Sequence, residues 1–118
     1  MRVKGLEVES KAEHYLIEKG LTPVCRNFLC KSGEIDLVMR EGETWVFIEV
    51  KYRKSQTYGT ALESITVSKQ RKLLRTIKFF LTKYHLWSAP CRIDAIGVHP
   101  SREGVDQFDW QKNVIFDQ

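Results

Sequence analysis

No apolar run in this 118-residue chain approaches the ~20 residues that a membrane span requires, so membrane association through a helix is not expected. Its first ten residues, MRVKGLEVES, hold no apolar core of a secretory leader, and the expected location is the cytoplasm. Cysteine is scarce. Cys25, Cys30 and Cys91 cannot all pair internally, which argues against a disulfide scaffold and fits a reducing compartment. His14, His85 and His99 are scattered, and Cys25-x4-Cys30 is a weak match to zinc-ligand spacing. Repeats and low-complexity tracts are missing as well. Acidic residues nearly vanish from one stretch: between Lys51 and Lys83 there are nine Lys or Arg and only Glu63 of opposite sign. The rest of the chain carries ten basic and fourteen acidic residues, so the net charge of +4 hides an uneven distribution. Such a stretch is either a solvated helix face or a phosphate-binding one. The length suits one domain, residues 1–118, with a real core.

The segment Gly33 to Lys54, GEIDLVMREGETWVFIEVKYRK, reads as two strands and a tight turn. Strand residues alternate faces, so Trp45, Phe47, Glu49, Lys51 and Arg53 share one face and Thr44, Val46, Ile48, Val50 and Tyr52 the other. Both faces begin apolar, as in a buried central strand. Glu49 and Lys51 then place two charges on one face of that run, and burying an unpaired charge is costly. A Glu41-Gly42 turn makes Asp36 face Phe47 and sit diagonally from Glu49 on the same face; in another register Asp36 lies directly opposite Glu49. Two carboxylates and a lysine converging in this way can hold a divalent cation through hard oxygen ligands. Glu34 shares the parity of Asp36, and is either a third carboxylate at the site or a solvent-exposed strand-end residue.

Asp36 followed, after a hairpin, by Glu49-Val50-Lys51 resembles the PD-(D/E)xK motif of the restriction-endonuclease-like superfamily, with Ile35 where the motif has proline. GEID, FIEVKYR, Tyr58-Gly59 and Lys69-Gln70 together resemble the YraN family of small bacterial proteins, which is similar to archaeal Holliday-junction resolvases. The likeness runs from about Gly5 to Phe116. Gly5, Glu9, Ala12 and Leu16 match the family's G-x-x-G-E-x-x-A-x-x-(Y/F)-L pattern, with Val8 in place of its second glycine. Arg26-Asn27, the Arg92-x-Asp94 segment and Asn113 to Phe116 match further pieces. The resemblance implies that Glu9 and Lys69 lie near the catalytic region.

Element by element, a helix is expected from about Gly5 to Lys19, stopped by Gly20 and Pro23. A strand with edge character follows from Leu21 to Phe28, since Pro23 cannot donate a ladder hydrogen bond. A second helix spans about Thr66 to Tyr84, with Thr66 or Ser64 as N-cap. Its apolar stripe is Leu73, Leu74, Ile77, Phe80, Leu81 and Tyr84, and Lys69, Arg71, Lys72, Arg75 and Lys78 take much of the remainder. Strands from Cys91 to Val98 and from Phe108 to Phe116 complete the chain. Asp94 either orients a basic residue or pairs structurally with Arg92.

This order suits an α/β fold with a mixed central sheet flanked by helices. It matches the restriction-endonuclease-like αβββαβ core that the resemblance implies. The expected function is a metal-dependent endonuclease acting on DNA, including branched or structured DNA. The resemblance implies Mg²⁺ or Mn²⁺ held by Asp36, Glu49, the Val50 carbonyl and Glu9, with Lys51 as the catalytic lysine. Asp36, Glu49 and Lys51 should share one cleft with Glu9 at its rim. Arg53, Lys54, Lys69, Arg71, Lys72, Arg75 and Lys78 are the expected nucleic-acid contacts. Two alternatives use the same residues differently: a nucleic-acid-binding module without catalysis, and a structural protein that forms a homodimer through its apolar C-terminal segment.

Overall fold

The doubly apolar runs around Ile35–Met39 and Val46–Ile48 become the two inner strands of a five-stranded sheet. The computed structural model describes residues 3–52, 65–100 and 103–114. Its elements are α1 (Val3–Glu18), β1 (Thr22–Cys30), β2 (Gly33–Glu41), β3 (Thr44–Tyr52), α2 (Val67–Lys83), β4 (Cys91–Pro100) and β5 (Asp106–Gln111). Strand order is β1-β2-β3-β4-β5, antiparallel except for the parallel β3–β4 pair, whose crossover contains α2. This is the αβββαβ order with a mixed sheet expected of the restriction-endonuclease-like core, with β5 added at the edge.

Each sheet face buries one apolar cluster. On one, Val38, Phe47 and Ala95 pack with Leu73, Ile77, Phe80 and Leu81 of α2. On the other, Leu37, Met39, Val46, Ile48, Ile96 and Val98 pack with Val8, Ala12 and Leu16 of α1. The alternation of β2 and β3 is thus a division of labour between two helices. Val8 is 8% exposed and fills the α1 side of the core, which accounts for a branched residue where the family pattern has glycine. Ile17, although apolar, is 42% exposed, because the contact stripe of α1 is narrow and runs through residues 8, 12 and 16.

The β2–β3 turn differs from the expected one. Glu41 pairs with Thr44, so the two loop residues are Gly42 and Glu43 rather than Glu41 and Gly42. Gly42 adopts φ 62°, a conformation that costs glycine little and other residues more. The registers Val38↔Phe47 and Leu37↔Ile48 follow, and they carry Asp36 into line with Glu49 instead of Phe47. β1 extends to Cys30, two residues past its expected end, while β5 stops at Gln111. Thr66 is the N-cap of α2, its hydroxyl accepting from the Lys69 N–H at 3.2 Å. Tyr84, placed on the apolar stripe, becomes the half-exposed C-cap.

At the end of the sheet near the hairpin, Asp94 is completely buried and fully partnered. It accepts from Arg92 Nε at 3.1 Å, Trp110 Nε1 at 3.0 Å and the Asn113 N–H at 2.8 Å, while Arg92 Nη1 reaches Glu41 at 2.6 Å. The structural reading of Asp94 is therefore the one the geometry supports. Its carboxylate ties β4, β5 and the segment after β5 together.

Candidate active site

Hydrogen bonding between β2 and β3 ends at Leu37↔Ile48, although both strands continue. Their outer neighbours stay paired, β1 with β2 as far as Cys30↔Gly33 and β3 with β4 as far as Tyr52↔Val98. The two inner strands therefore part. Backbone groups released in this way need other partners when buried, and the Val50 N–H finds one in Asp36 Oδ2 at 2.8 Å. Asp36 thus sits where the sheet opens.

A cleft of about 480 Å³ occupies this opening, lined by Gly33, Glu34, Asp36, Glu49, Val50, Lys51 and the first turns of α2 through Lys69, Lys72 and Leu73. Asp36, Glu49 and Lys51 share it, as strand parity suggested. On β4 the residues beside Glu49 and Lys51 are Ala95 and Gly97, so the neighbouring strand adds little bulk there. Lys51 Nζ lies 3.6 Å from Glu49 Oε2. Of the basic residues expected on α2, Lys69 and Lys72 line the cleft, whereas Arg71, Arg75 and Lys78 are exposed on the helix outside its lining. Arg53 and Lys54 lie outside the described residues, as do Tyr58, Gly59, Glu63 and Ser64.

Glu9 corrects an expectation. It is 3% exposed, buried behind Asp36 rather than at the rim of the cleft, because α1 turns this face into the sheet. Glu13, one turn further, is 8% exposed, so neither acid is solvent-facing. Two consecutive residues of β1 hold them. Asn27 Nδ2 donates to Glu9 Oε1 at 2.7 Å. Arg26 donates to Glu13 Oε1 from Nη2 at 2.7 Å and from Nε at 3.0 Å. Sequence reasoning had the Arg26-Asn27 pair in view but gave it no role; its signal was two consecutive polar residues in a strand beside a helix carrying two acids four apart.

Glu9, Glu34 and Asp36 each offer a carboxylate oxygen within 4.8 Å of the others. Three hard oxygens at that spacing can hold one metal ion. Glu34 is therefore drawn into the acidic cluster rather than flaring into solvent. Among the described residues no His or Cys belongs to such a group, so the weak zinc match at Cys25 and Cys30 gains nothing.

The electrostatics reflect crowding. Burial, reinforced by the Glu49 charge, pushes the Asp36 carboxyl up to about 7, against the opposing effect of the Val50 N–H. Glu49 is also raised, by burial, with Lys51 pulling the other way. Lys51 is lowered, first by burial and then by the neighbouring Lys69. Two acids that resist ionising together, beside a lysine whose own charge burial disfavours, form the environment that a divalent cation would relieve. Perturbed groups of this kind concentrate at functional sites.

A family model described as "Uncharacterised protein family UPF0102" matches residues 8–98, which span α1 through β4. The chain belongs to this family. A UPF0102 protein of Methylobacillus flagellatus is 44% identical over 115 residues, covering 98% of both chains. One from Alcanivorax borkumensis is 38% identical over 97% of this chain and 92% of its own, and one from Colwellia psychrerythraea is 43% identical over 95% and 88%. Among solved structures, Pyrococcus furiosus SfsA in complex with Ca²⁺ aligns with a TM-score of 0.46 and 16% identity, over 91% of this chain and 63% of that one. The YraN resemblance carried by GEID and FIEVKYR is thus a family membership extending over nearly the whole chain. Among the described residues no helix is long and apolar enough to cross a membrane.

Proposed function

We propose that this UPF0102 protein is a divalent-metal-dependent deoxyribonuclease that hydrolyses phosphodiester bonds, including those of branched or structured DNA. The observation that carries the reading is the shared cleft of Asp36, Glu49 and Lys51, opened where β2 and β3 part and flanked by Lys69 and Lys72.

The donor set fits Mg²⁺ or Mn²⁺, since it consists of carboxylates and the acids hold their charge reluctantly without a counter-ion. Asp36 and Glu49 would hold the ion, with Glu9, Glu34 and the Val50 carbonyl completing the shell directly or through water. When bound, the cation supplies Lewis-acid polarisation of the phosphate and acidification of a water.

The chain's own groups do the rest. Lys51, lowered toward neutrality, orients the attacking water and assists removal of its proton, and then stabilises charge on the phosphorane. Lys69 and Lys72 draw the phosphate backbone to the mouth of the cleft. Arg71, Arg75 and Lys78 extend the positive face along α2, with Arg53 and Lys54 adding charge next to Lys51 in sequence.

The test is cleavage of linear, flapped and four-way DNA with Mg²⁺, with Mn²⁺ and with EDTA, comparing the unsubstituted protein with Asp36→Asn. Metal-dependent cleavage that disappears in Asp36→Asn is expected. DNA binding without cleavage under any condition would make the protein a non-catalytic nucleic-acid-binding module.

A further inference from the structure

Two buried acids on α1 receive different treatment from two adjacent residues of β1. Glu13 meets the guanidinium of Arg26, which cancels its charge. Glu9 meets the side-chain amide of Asn27, which donates a hydrogen bond but brings no charge. A neutral donor fixes where a carboxylate points without placing a fixed positive charge against it. An arginine in that place would compete with a cation for the same carboxylate.

The backbone of β1 is shaped to present that donor. Asn27 has φ 53°, a left-handed conformation rare in strands and tolerated by asparagine better than by most residues. Arg26 pairs with Leu37 and Phe28 with Ile35, with no pairing between Asn27 and Asp36. The kink changes the alternation of the strand, so that Cys25 and Phe28, three apart, both pack against the α2 side of the core. Asn27 is thereby released from the ladder and its amide reaches Glu9 on α1.

We infer that Asn27 is a positioning residue that orients the Glu9 carboxylate toward Asp36 and Glu34, where a divalent cation would be held. This rests on the metal centre proposed above and adds a residue that holds a ligand without touching the ion. Partners of this outer kind typically contribute ten- to a hundredfold to metal affinity.

The experiment measures Mn²⁺ binding by calorimetry, and thermal melting in EDTA, for the unsubstituted protein, Asn27→Gly, Glu9→Gln, the double variant Glu9→Gln/Asn27→Gly, and Arg26→Ala. Asn27→Gly tolerates the left-handed backbone and deletes only the amide. It is expected to melt close to the unsubstituted protein in EDTA and to bind Mn²⁺ about tenfold more weakly. In the Glu9→Gln background the same change should have almost no further effect, because the carboxylate it orients is gone. Arg26→Ala should melt lower with unchanged Mn²⁺ affinity. Mn²⁺ affinity of Asn27→Gly within twofold of the unsubstituted protein, or a loss that adds fully to that of Glu9→Gln, overturns the inference while leaving the metal centre standing. An Asn27→Gly protein that does not fold in EDTA assigns Asn27 to the scaffold and overturns it too. If the unsubstituted protein binds no Mn²⁺ at millimolar concentration, the metal centre and the inference fail together.

Discussion

The Val50 N–H donates to the Asp36 carboxylate at 2.8 Å, beyond the last β2–β3 pair at Leu37↔Ile48. A side chain thus replaces the strand ladder where the sheet opens. Asp36 is 6% exposed, and the bond to Val50 aims it at Glu49, Glu9 and Glu34. One bond therefore serves both the fold, by satisfying a backbone donor, and the site, by orienting a ligand.

Asp36 makes stability depend on pH in a definite direction. Its carboxyl is raised from 3.8 to about 7 by burial and the Glu49 charge. Between those values the folded state holds a proton that the unfolded state has released, so stability must fall as pH rises through this window. The contribution is fully present below the unfolded value and lost above about pH 7. Glu49, raised by burial, acts in the same sense. Denaturant unfolding in EDTA at a series of pH values should show a loss on the order of a few kcal/mol from pH 4 to pH 8. Mn²⁺ affinity should rise over the same range, because the ion competes with that proton. An EDTA profile that is flat, or that rises with pH, would contradict the crowded site.

Asp94 should behave differently. It is completely buried and accepts from Arg92, Trp110 and the Asn113 backbone. Asp94→Ala strands those donors and leaves Arg92 with Glu41 as its remaining partner among the described residues. Breaking such a buried network should cost about 3–5 kcal/mol, read as a shift of the denaturation midpoint. Any Asp94→Ala protein that still folds in the cold should keep its Mn²⁺ affinity, since this network lies apart from the cleft. Reduced metal affinity in that folded variant would mean that Asp94 serves the site.

Much of this arrangement is visible in the one-dimensional pattern. Period-two alternation placed Glu49 and Lys51 on one face, and the apolar stripe of α2 named Leu73, Ile77, Phe80 and Leu81. The hairpin register slipped because both Glu41-Gly42 and Gly42-Glu43 satisfy a composition rule; only the positive φ of Gly42 at the first loop position decides between them. Burial of Glu9 and Glu13 escaped helix periodicity because it depends on Asn27 and Arg26, eighteen and thirteen residues away. Thr76 was missed for a local reason. Its hydroxyl bonds to the Lys72 carbonyl at 2.8 Å, which lets a polar residue sit buried against the sheet.

Thr76 leads to a prediction about Gly33. A Cβ at Gly33 would lie 3.2 Å from Thr76 Oγ1 and 3.6 Å from Lys72 Cβ, and Gly33 has φ 151°. Gly33→Ala should therefore push α2 away from β2 as well as strain the turn, destabilising by about 1 kcal/mol or more. Because Lys72 lines the cleft, DNA affinity should fall as well. Deleting the contacted hydroxyl in Gly33→Ala/Thr76→Ala relieves the contact but not the backbone term, so only part of the stability should return. Melting curves and low-salt DNA binding of the two variants check this, and an unchanged melt for Gly33→Ala would refute the close approach.

The basic residues of α2 should separate into two groups. Lys69 and Lys72 line the cleft, whereas Arg71 and Arg75 project elsewhere along the exposed helix. Replacing all four by alanine should weaken DNA binding for all sequences alike and flatten the dependence of log affinity on log salt by about one for each lost phosphate contact. The Lys69→Ala/Lys72→Ala pair should in addition lower cleavage at saturating DNA, which Arg71→Ala/Arg75→Ala should not. If the fourfold variant binds DNA with unchanged affinity at low salt, the helix is only a solvated surface.

Metal and stability meet at Asp36. Asp36 and Glu49 crowd two acids into a buried site, and Lys51, 3.6 Å from Glu49, offsets only part of the repulsion. Asp36→Asn removes one of the charges while keeping an oxygen that can accept from the Val50 N–H. The EDTA form of this variant should therefore be no less stable than the unsubstituted protein at neutral pH, and its pH dependence flatter. A divalent ion that binds only the folded site raises stability by mass action, about 2.7 kcal/mol at a hundredfold excess over its dissociation constant. A neutral amide is a poorer ligand for a hard cation, so Asp36→Asn should lose most of that gain together with cleavage. Thermal melting of both proteins in EDTA, Mg²⁺ and Mn²⁺ makes the comparison. Equal metal-induced shifts in the two would place the ions elsewhere on the protein. No shift in either up to millimolar metal would remove the cofactor from the nuclease reading, and the cleft would then be better explained as a seat for a phosphate backbone that is bound and not cut.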